Sequence, residues 1–188
     1  MLLKRPPQST SGLSASTIRY PNGSTGLSRM RTSSTKRLEA SDPIVNCITL
    51  RAATLQGYLN QPEKIEPPQI TYYEQGQQFK PHYDWTTSPE GKVSDREATI
   101  FAFIDQTCDD CGTAFPTVSV DWSKKSRLWC EFFDCGREYL LSKPLRGSAL
   151  YWRNLDSEGK GHPKTLHAGL PVSEGYKAGM NIWTKMGE

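Results

Sequence analysis

The chain has 188 residues, of which 36% are hydrophobic and 10% aromatic, and this is enough apolar side chain for one buried core. The net charge is only +3, with 23 Lys plus Arg scattered among 20 Asp plus Glu, so the sequence does not predict nucleic-acid binding. No run approaches the roughly 18 consecutive apolar residues of a membrane span, and no apolar stretch of a secretory signal follows the first basic residues. We therefore expect no membrane contact within this sequence.

Residues 1–30 are rich in Ser, Thr, Pro, Gly and Arg and have almost no periodic apolar pattern. Such a composition offers too little apolar surface to offset the entropy of ordering the chain. We therefore predict a disordered low-complexity segment over 1–30 and one domain over 31–188.

A helix is predicted from 43 to 60, where Ser41 or Asp42 can cap the first turn and Pro43 suits its first position. Apolar residues then recur at helical spacing, at Ile44, Ile48, Leu55 and Leu59. We expect this helix to pack against a sheet.

After residue 68 the pattern changes to short apolar segments separated by turn residues. Eight strands are predicted, at 69–74, 78–84, 98–104, 128–133, 138–141, 148–153, 164–168 and 177–185. Because no helical segment separates the later strands, the pattern favours a mainly β (α+β) fold, a double-stranded β-helix or jelly roll with one or more supporting N-terminal helices.

An odd number of cysteines leaves at least one unpaired in any intramolecular scheme; they are Cys47, Cys108, Cys111, Cys130 and Cys135. The Cys-x-x-Cys pair lies in an acidic loop, and a zinc site would need two further ligands that the spacing does not supply. A disulfide among the four clustered cysteines and plain buried thiols are the two favoured alternatives.

The first candidate metal ligands are His82 and Asp84, at the end of a predicted strand. Residues two apart on a strand point to the same face, so an imidazole and a carboxylate converge. A histidine from a distant strand would complete the two-histidine, one-carboxylate set that binds iron(II) and leaves positions open. Of the two remaining histidines, His162 lies in a turn-rich loop, whereas His167 lies in a segment that can pair as a strand, and we choose His167.

Lys177 opens the last predicted core strand, ten residues after His167. An inward ammonium on an apolar strand requires an anionic partner, because an unpaired buried charge is costly. A dicarboxylate ligand would supply that partner.

Several ordered motifs resemble the catalytic domain of the prolyl 4-hydroxylase family of iron(II)/2-oxoglutarate dioxygenases. Within that family, the resemblance is greatest to the fungal members. The matching segments are Arg31-Thr32-Ser33, Tyr73-Glu74-Gln75-Gly76-Gln77, His82-Tyr83-Asp84, Arg96-Glu97-Ala98-Thr99, Cys111-Gly112-Thr113-Ala114-Phe115-Pro116, Trp129-Cys130-Glu131-Phe132, Leu166-His167-Ala168-Gly169-Leu170-Pro171-Val172, Gly175-Tyr176-Lys177 and Asn181-Ile182-Trp183. Their order and spacing together make the resemblance specific.

The resemblance implies roles for individual residues. It implies that iron(II) is bound by His82, Asp84 and His167. It implies a 2-oxoglutarate pocket in which the distal carboxylate is bound by Lys177, with help from the Tyr73 hydroxyl and with Trp183 close to the metal.

The resemblance also implies an activity, the hydroxylation of a prolyl residue in a peptide or protein with conversion of 2-oxoglutarate to succinate and CO2. Arg96 would then lie near the substrate groove, and L-ascorbate would keep the iron reduced. Relatives with signal anchors work in the endoplasmic reticulum, although this sequence shows no such segment.

Three other functions are alternatives at this point. A hydroxylase of a free amino acid or small metabolite would use the same chemistry. A catalytically silent peptide-binding domain is disfavoured because the ligand set and the lysine are complete, and an iron or manganese cupin is disfavoured because cupins use more histidines than the three present here.

The sequence departs from the family at two places. The segment before Phe115-Pro116 has fewer glycines than usual, which predicts an altered loop there. A low-complexity segment stands where the family has a strand and a helix before Arg31, so we expect an N-terminally truncated domain with reduced stability.

Overall fold

The computed structural model describes residues 12–19, 24–58, 61–87, 93 and 96–186. The strands are β1 (Ser14–Ala15), β2 (Thr17–Arg19), β3 (Thr25–Leu27), β4 (Ser34–Arg37), β5 (Gln69–Glu74), β6 (Phe79–His82), β7 (Arg96–Gln106), β8 (Thr113–Ser119), β9 (Tyr139–Ser142), β10 (Ala149–Arg153), β11 (His167–Gly169) and β12 (Tyr176–Lys185). The helix α1 spans Pro43–Leu55, and short 3-10 helices span Pro62–Lys64, Trp122–Lys124, Arg127–Glu131 and Pro163–Thr165.

Two antiparallel sheets form the body of the fold. The major sheet has the order β1-β4-β5-β12-β7-β10, and the minor sheet has the order β6-β11-β8-β9. Strands distant in sequence are neighbours in both sheets, as in a jelly roll. The predicted fold class is therefore confirmed.

One face of the major sheet packs against α1. Alternate residues of β7 and β12 point to this face, because successive side chains of a strand lie on opposite sides. The apolar core there contains Ala52, Ala53, Ile65, Ile100, Met180 and Ile182.

The opposite face of the major sheet looks toward the minor sheet. Phe101 and Phe103 of β7 and Trp152 of β10 pack against Phe115 of β8. The rings of Phe115 and Trp152 meet edge to face, 5.2 Å apart and 81° to one another. This aromatic core sets how the two sheets face each other.

Helix α1 begins as predicted and ends earlier. The Asp42 carboxylate accepts hydrogen bonds from the backbone N–H groups of Ile44 (2.7 Å) and Val45 (3.4 Å), which is an N-cap. The helix stops at Leu55 rather than at residue 60, and Gly57 then takes a positive φ of 80° that ends the helical turn.

The packing face of α1 agrees with the prediction at Ile48, which packs against the core, and differs from it at Ile44 and Leu55. Ile44 and Leu55 are exposed, while the buried face is made by Val45, Ala52 and Ala53. The small residues let the helix lie close to the sheet. Leu59 lies outside the described residues.

The strand predicted at 128–133 is wrong. These residues form the 3-10 helix Arg127–Glu131 and the bend after it, where Cys130 and Cys135 form a disulfide. A strand at Thr113–Ser119 was not predicted. Its pattern is hard to recognise because Thr113, Ala114 and Phe115 are buried in succession, so there is no alternation to read.

The N-terminal segment also differs from the prediction. Within residues 1–30, which were predicted to be disordered, the structure describes β1 paired with β4 and a hairpin of β2 and β3. Ser16 is buried, and its hydroxyl lies 2.8 Å from that of Ser33. The described sheet thus begins at Ser14, and residues 1–11 lie outside the described part of the chain.

Four of the cysteines form disulfides, Cys108 with Cys111 and Cys130 with Cys135, and Cys47 is exposed and free. Of the two alternatives drawn from the sequence, disulfides are the one observed. None of the helices that the structure describes has the length and apolarity needed to cross a bilayer.

The loop that enters β8 leaves no room for a side chain at Gly112, where an added Cβ would overlap the backbone carbonyl oxygen of Ser142 in β9. We expect Gly112→Ala to lower the free energy of unfolding by about 1–3 kcal/mol, because backbone cannot move aside as a flexible side chain can. Urea unfolding would measure this. Gly136→Ala is the matched control, since its Cβ would meet only the Asp134 carboxylate at 3.2 Å, and an equal loss in both variants would contradict the prediction.

Candidate active site

Three side chains of the minor sheet and its edge converge at one end of the fold. His82 ends β6 and is the cross-strand partner of His167, which begins β11. Asp84 follows β6 by two residues. The potential ligand atoms of the three residues all lie within 4.8 Å of one another, and the structure thus brings the three predicted ligands together.

Both imidazoles present the same nitrogen to this cluster. Nδ1 of His82 lies 2.8 Å from the carbonyl oxygen of Lys80, and Nδ1 of His167 lies 2.9 Å from that of Thr165. A carbonyl only accepts, so each Nδ1 carries a hydrogen, and in the neutral form of either ring Nε2 is the nitrogen with a free lone pair. The Nε2 atoms lie 3.9 Å and 3.7 Å from the carboxylate oxygens of Asp84.

The charge states suit metal binding. Burial, together with the nearby His167, lowers the pKa of His82 to about 3, so its ring is neutral at neutral pH. Burial alone raises the pKa of the Asp84 carboxyl, but the two histidines and the Thr99 hydroxyl outweigh it, and the net pKa lies below its usual value. At neutral pH the cluster thus contains a neutral His82 imidazole and an ionised Asp84 carboxylate.

Aromatic rings hold the two imidazoles in place. Phe79 stacks on His82 with ring centroids 3.4 Å apart, and Trp152 lies 4.8 Å from the ring of His167. Packing of this kind limits ring rotation and so fixes where each Nε2 points.

His162 does not belong to the cluster. It precedes the 3-10 helix Pro163–Thr165, and its Nδ1 accepts the backbone N–H of Lys164 at 3.1 Å. The choice of His167 over His162 agrees with this geometry.

Lys177 is buried in the central strand β12, with 1% of its surface exposed. Its Nζ donates to the backbone carbonyl of Cys111 and lies 4.8 Å above the ring of Tyr73, its cross-strand partner. Burial lowers its pKa to about 7. Among the described residues no carboxylate lies within salt-bridge distance of this ammonium, so an anionic ligand would find an uncompensated cation here.

Gly169 leaves space beside that ammonium. A Cβ at this position would lie 3.6 Å from Nζ of Lys177 and 3.7 Å from the hydroxyl oxygen of Tyr73. Since Gly169 lies in β11 two residues after His167, this space adjoins the metal-ligand cluster. A side chain there would occupy the room that a small carboxylate ligand needs.

Arg96 and Trp183 also line the site. The Arg96 guanidinium stacks 3.7 Å from the centroid of the Trp183 ring and donates to both carboxylate oxygens of Glu66, at 2.7 and 3.1 Å. The Trp183 Nε1–H is buried and has no hydrogen-bond partner in the described part of the chain. A buried donor of this kind is available to a ligand.

One cavity of about 560 Å³ connects these groups. All seven residues singled out in the sequence line it: Tyr73, His82, Asp84, Arg96, His167, Lys177 and Trp183. Five basic side chains line the cavity, against the two acidic side chains of Asp84 and Glu66, so it favours an anion. The basic side chains are Arg31, Arg37, Arg96, Lys177 and Lys185.

Sequence reasoning missed several residues of the site. Arg31 was noted only as part of a motif, yet it is buried and its guanidinium lies 4.8 Å above the Phe79 ring. Burial lowers its pKa, and the Asp84 charge partly offsets this. Thr99 was likewise noted only as part of a motif. Glu66 and Asn154 carried no signal, because an isolated polar residue next to an apolar run looks like ordinary surface.

The residues fit the metal that the family resemblance implies. Two imidazoles with free lone pairs and one carboxylate are the donor set of non-haem iron(II) sites. The buried ammonium, the space beside Gly169 and the unpartnered Trp183 N–H fit a small dianion in the same cavity.

Comparison with known proteins agrees with the site. Residues 68–185 match the model of the 2OG-Fe(II) oxygenase superfamily. The chain belongs to this superfamily.

Curated relatives narrow the likeness to prolyl 4-hydroxylases. The chain is 32% identical over 86% of its length to probable prolyl 4-hydroxylase 3 of Arabidopsis thaliana, of which it covers 56%. It is 31% identical over 76% of its length to prolyl 4-hydroxylase subunit alpha-3 of Rattus norvegicus, of which it covers 23%. The resemblance to the prolyl 4-hydroxylase family is confirmed, the fungal likeness stays a prediction, and the chain spans about half the length of its plant relatives.

Solved structures show the same fold. A viral collagen prolyl hydroxylase from Paramecium Bursaria Chlorella virus-1, in complex with 2OG, aligns with a TM-score of 0.61 at 23% identity, over 84% of this chain and 80% of that one. A prolyl hydroxylase from Trichoplax adhaerens, in complex with a hypoxia inducible factor peptide, aligns with a TM-score of 0.61 at 10% identity, over 93% of this chain and 71% of that one.

His167, which belongs to the cluster, and His162, which does not, offer a matched test of the proposed metal site. We expect His167→Gln to weaken the binding of Co(II), a spectroscopic substitute for iron(II), by more than the roughly 10–100-fold that loss of an outer partner costs. His162→Gln should bind Co(II) like the parent chain, since His162 lies outside the cluster. Titration followed by visible absorption measures both, and equal affinities in the two variants would contradict the assignment.

Proposed function

We propose that this chain is an iron(II)- and 2-oxoglutarate-dependent dioxygenase that hydroxylates a prolyl residue in a peptide or protein and releases succinate and CO2. The observation that carries the proposal is the shared cavity. It holds a two-histidine, one-carboxylate cluster and, beside it, a buried ammonium without a carboxylate partner among the described residues.

The cluster would hold the metal. Nε2 of His82, Nε2 of His167 and the Asp84 carboxylate are the three protein ligands, and three ligands on one side leave further positions for small molecules. When bound, iron(II) supplies the activation of oxygen coupled to decarboxylation of 2-oxoglutarate. The aromatic packing around the imidazoles keeps the ligands oriented between turnovers.

Lys177 and its neighbours would hold the cosubstrate. The ammonium neutralises the distal carboxylate, the Tyr73 hydroxyl donates to it, and the bare backbone of Gly169 leaves it room. Trp183 flanks the same ligand and offers its unpartnered N–H. Burial of this pocket strengthens the ion pair, because the surroundings screen it less than water does.

Arg96 would contribute to the substrate groove. Its guanidinium is fixed between Glu66 and Trp183, so it presents a rigid polar edge to the cavity. A peptide substrate agrees with the likeness to prolyl 4-hydroxylases and with the peptide complex of one structural neighbour. L-ascorbate as a reductant of oxidised iron, and work in the endoplasmic reticulum, are part of the same proposal and rest on the family resemblance alone.

Succinate release tests the reaction. With iron(II), ascorbate and 2-oxoglutarate, a proline-rich peptide should raise succinate release, with one hydroxyproline formed per coupled turnover. The same peptide with alanine at each proline is the control, and Asp84→Asn should show no stimulation. Stimulation by free proline but not by the peptide would instead support a small-molecule hydroxylase.

The pKa of Lys177 predicts a pH dependence of cosubstrate binding. Because that pKa is about 7 in the ligand-free protein, the ammonium loses its proton as pH rises above 7, and binding of the dianion must then restore it. The affinity for 2-oxoglutarate should therefore fall above pH 7, by up to about tenfold per pH unit. Calorimetric titration of the metal-loaded protein between pH 6 and about 9 measures this.

Lys177→Arg is the matched variant for that measurement, because a guanidinium stays charged throughout this range. Its 2-oxoglutarate affinity should be independent of pH, even where its absolute affinity is lower. A flat profile in the parent chain would contradict the predicted loss of the Lys177 proton in this range, whereas an unchanged 2-oxoglutarate affinity in Lys177→Ala would contradict its role in binding the cosubstrate.

A further inference from the structure

A continuous chain of hydrogen bonds runs from the interior of the major sheet to Asp84. The indole Nε1–H of Trp152 donates to Oδ1 of Asn154 at 2.9 Å, and Nδ2 of Asn154 donates to Oγ1 of Thr99 at 2.8 Å. The Thr99 hydroxyl donates to Oδ2 of Asp84 at 2.7 Å. Thr99 and Asn154 are fully buried, so water does not compete for these bonds.

The chemistry of its two ends fixes the direction of every bond in this chain. An indole nitrogen can only donate, and a carboxylate can only accept. Asn154 must therefore turn its carbonyl to Trp152 and its amide N–H to Thr99. The hydroxyl of Thr99, whose oxygen is already accepting, has its single hydrogen directed to Asp84.

Backbone hydrogen bonds fix the positions of Trp152, Asn154 and Thr99 independently of Asp84. Trp152 and Thr99 are cross-strand partners in the pairing of β10 with β7. Asn154 follows β10, where its backbone N–H donates to Glu97 at 2.7 Å and its carbonyl accepts from His162 at 2.8 Å. These three side chains form a rigid support that belongs to the major sheet.

Asp84 is held in place differently from the two histidines. His82 and His167 lie in paired strands of the minor sheet, whereas Asp84 lies beyond the end of β6. Its carboxylate is held from the opposite sheet by Thr99. The Trp152 ring that begins the hydrogen-bond chain also packs on His167, so one indole supports two of the three metal ligands.

We propose that Thr99, Asn154 and Trp152 are positioning residues that orient the Asp84 carboxylate for metal binding through this one-directional hydrogen-bond chain. The inference rests on the proposed function, because it takes Asp84 as a metal ligand. It adds that the affinity for iron(II) depends on a hydroxyl and an amide in the major sheet that do not touch the metal.

The central test replaces Thr99 by an isosteric residue. Thr99→Val keeps the β-branched shape and removes the hydroxyl, and we expect it to weaken Co(II) binding by about 10–100-fold. Thr99→Ser keeps the hydroxyl and should recover most of the affinity. Thr71→Val is the matched control, because Thr71 is also fully buried, in β5 of the same sheet, and its hydroxyl donates to the Gly179 carbonyl rather than to the site.

A second variant tests the donor-to-acceptor direction of these hydrogen bonds. In Asn154→Asp the new carboxylate accepts from both Trp152 and Thr99, so the single hydroxyl hydrogen of Thr99 is drawn away from Asp84. We expect a loss of Co(II) affinity at least as large as in Thr99→Val. An unchanged affinity in Asn154→Asp would overturn the proposed direction.

Two further readouts separate positioning from a general loss of structure. The melting temperature of the metal-free variants shows whether they remain folded. With anaerobic iron(II) and 2-oxoglutarate, the visible charge-transfer absorption of Thr99→Val should require more iron to reach saturation, while KM for the peptide stays unchanged.

The possible results distinguish a failure of the proposed positioning role from a failure of the proposed function. Parental Co(II) affinity in a folded Thr99→Val, failure of Thr99→Ser to recover affinity, or an equal loss in Thr71→Val would each overturn the positioning chain and leave the proposed function intact. A parent chain that binds neither Co(II) nor iron(II) would overturn both.

Discussion

The pairing of β6 with β11 is the constraint on which the site depends, because it sets His82 directly opposite His167. The two imidazoles then share one face with their ring centroids 4.2 Å apart, and backbone carbonyls turn both Nε2 atoms toward the same point. A shift of one residue in this register would turn one imidazole to the other face of the sheet. Asp84 completes the set from beyond the strand end, and so needs a support that the minor sheet does not provide.

The charges that line the cavity extend the site beyond the cluster of His82, Asp84 and His167. Burying an ammonium at Lys177 lowers its pKa to about 7 and costs stability in the ligand-free protein. Such a residue is retained where a ligand compensates the charge, and functional sites are where strongly perturbed groups concentrate. The excess of basic over acidic side chains around the cavity likewise favours an anionic ligand.

The sequence predicted the parts of the fold and site that have a local signature. The β-strand period places His82 beside Asp84, and the cost of a buried charge marks Lys177 as unusual in an apolar strand. The N-cap at Asp42 was also predicted from the sequence. The end of α1 was predicted too late, because Gly57 was not recognised as a residue that ends the helix. The support of Asp84 was not predictable, because it depends on which strands are neighbours in the major sheet, and register between strands distant in sequence leaves no local pattern.

The two sheets divide the chemistry between them. The proposed metal ligands belong to the minor sheet and its edge, while the ammonium of Lys177 and the proposed Thr99 support belong to the major sheet. The distance from the proposed metal ligands to Lys177 therefore depends on the aromatic core between the sheets, where Phe115 meets Trp152. Since interiors are close-packed and transmit small displacements, a change of volume at that contact would alter the geometry of the site without touching any ligand-binding atom. The aromatic core thus bears on the geometry of the site, although it contributes no ligand atom.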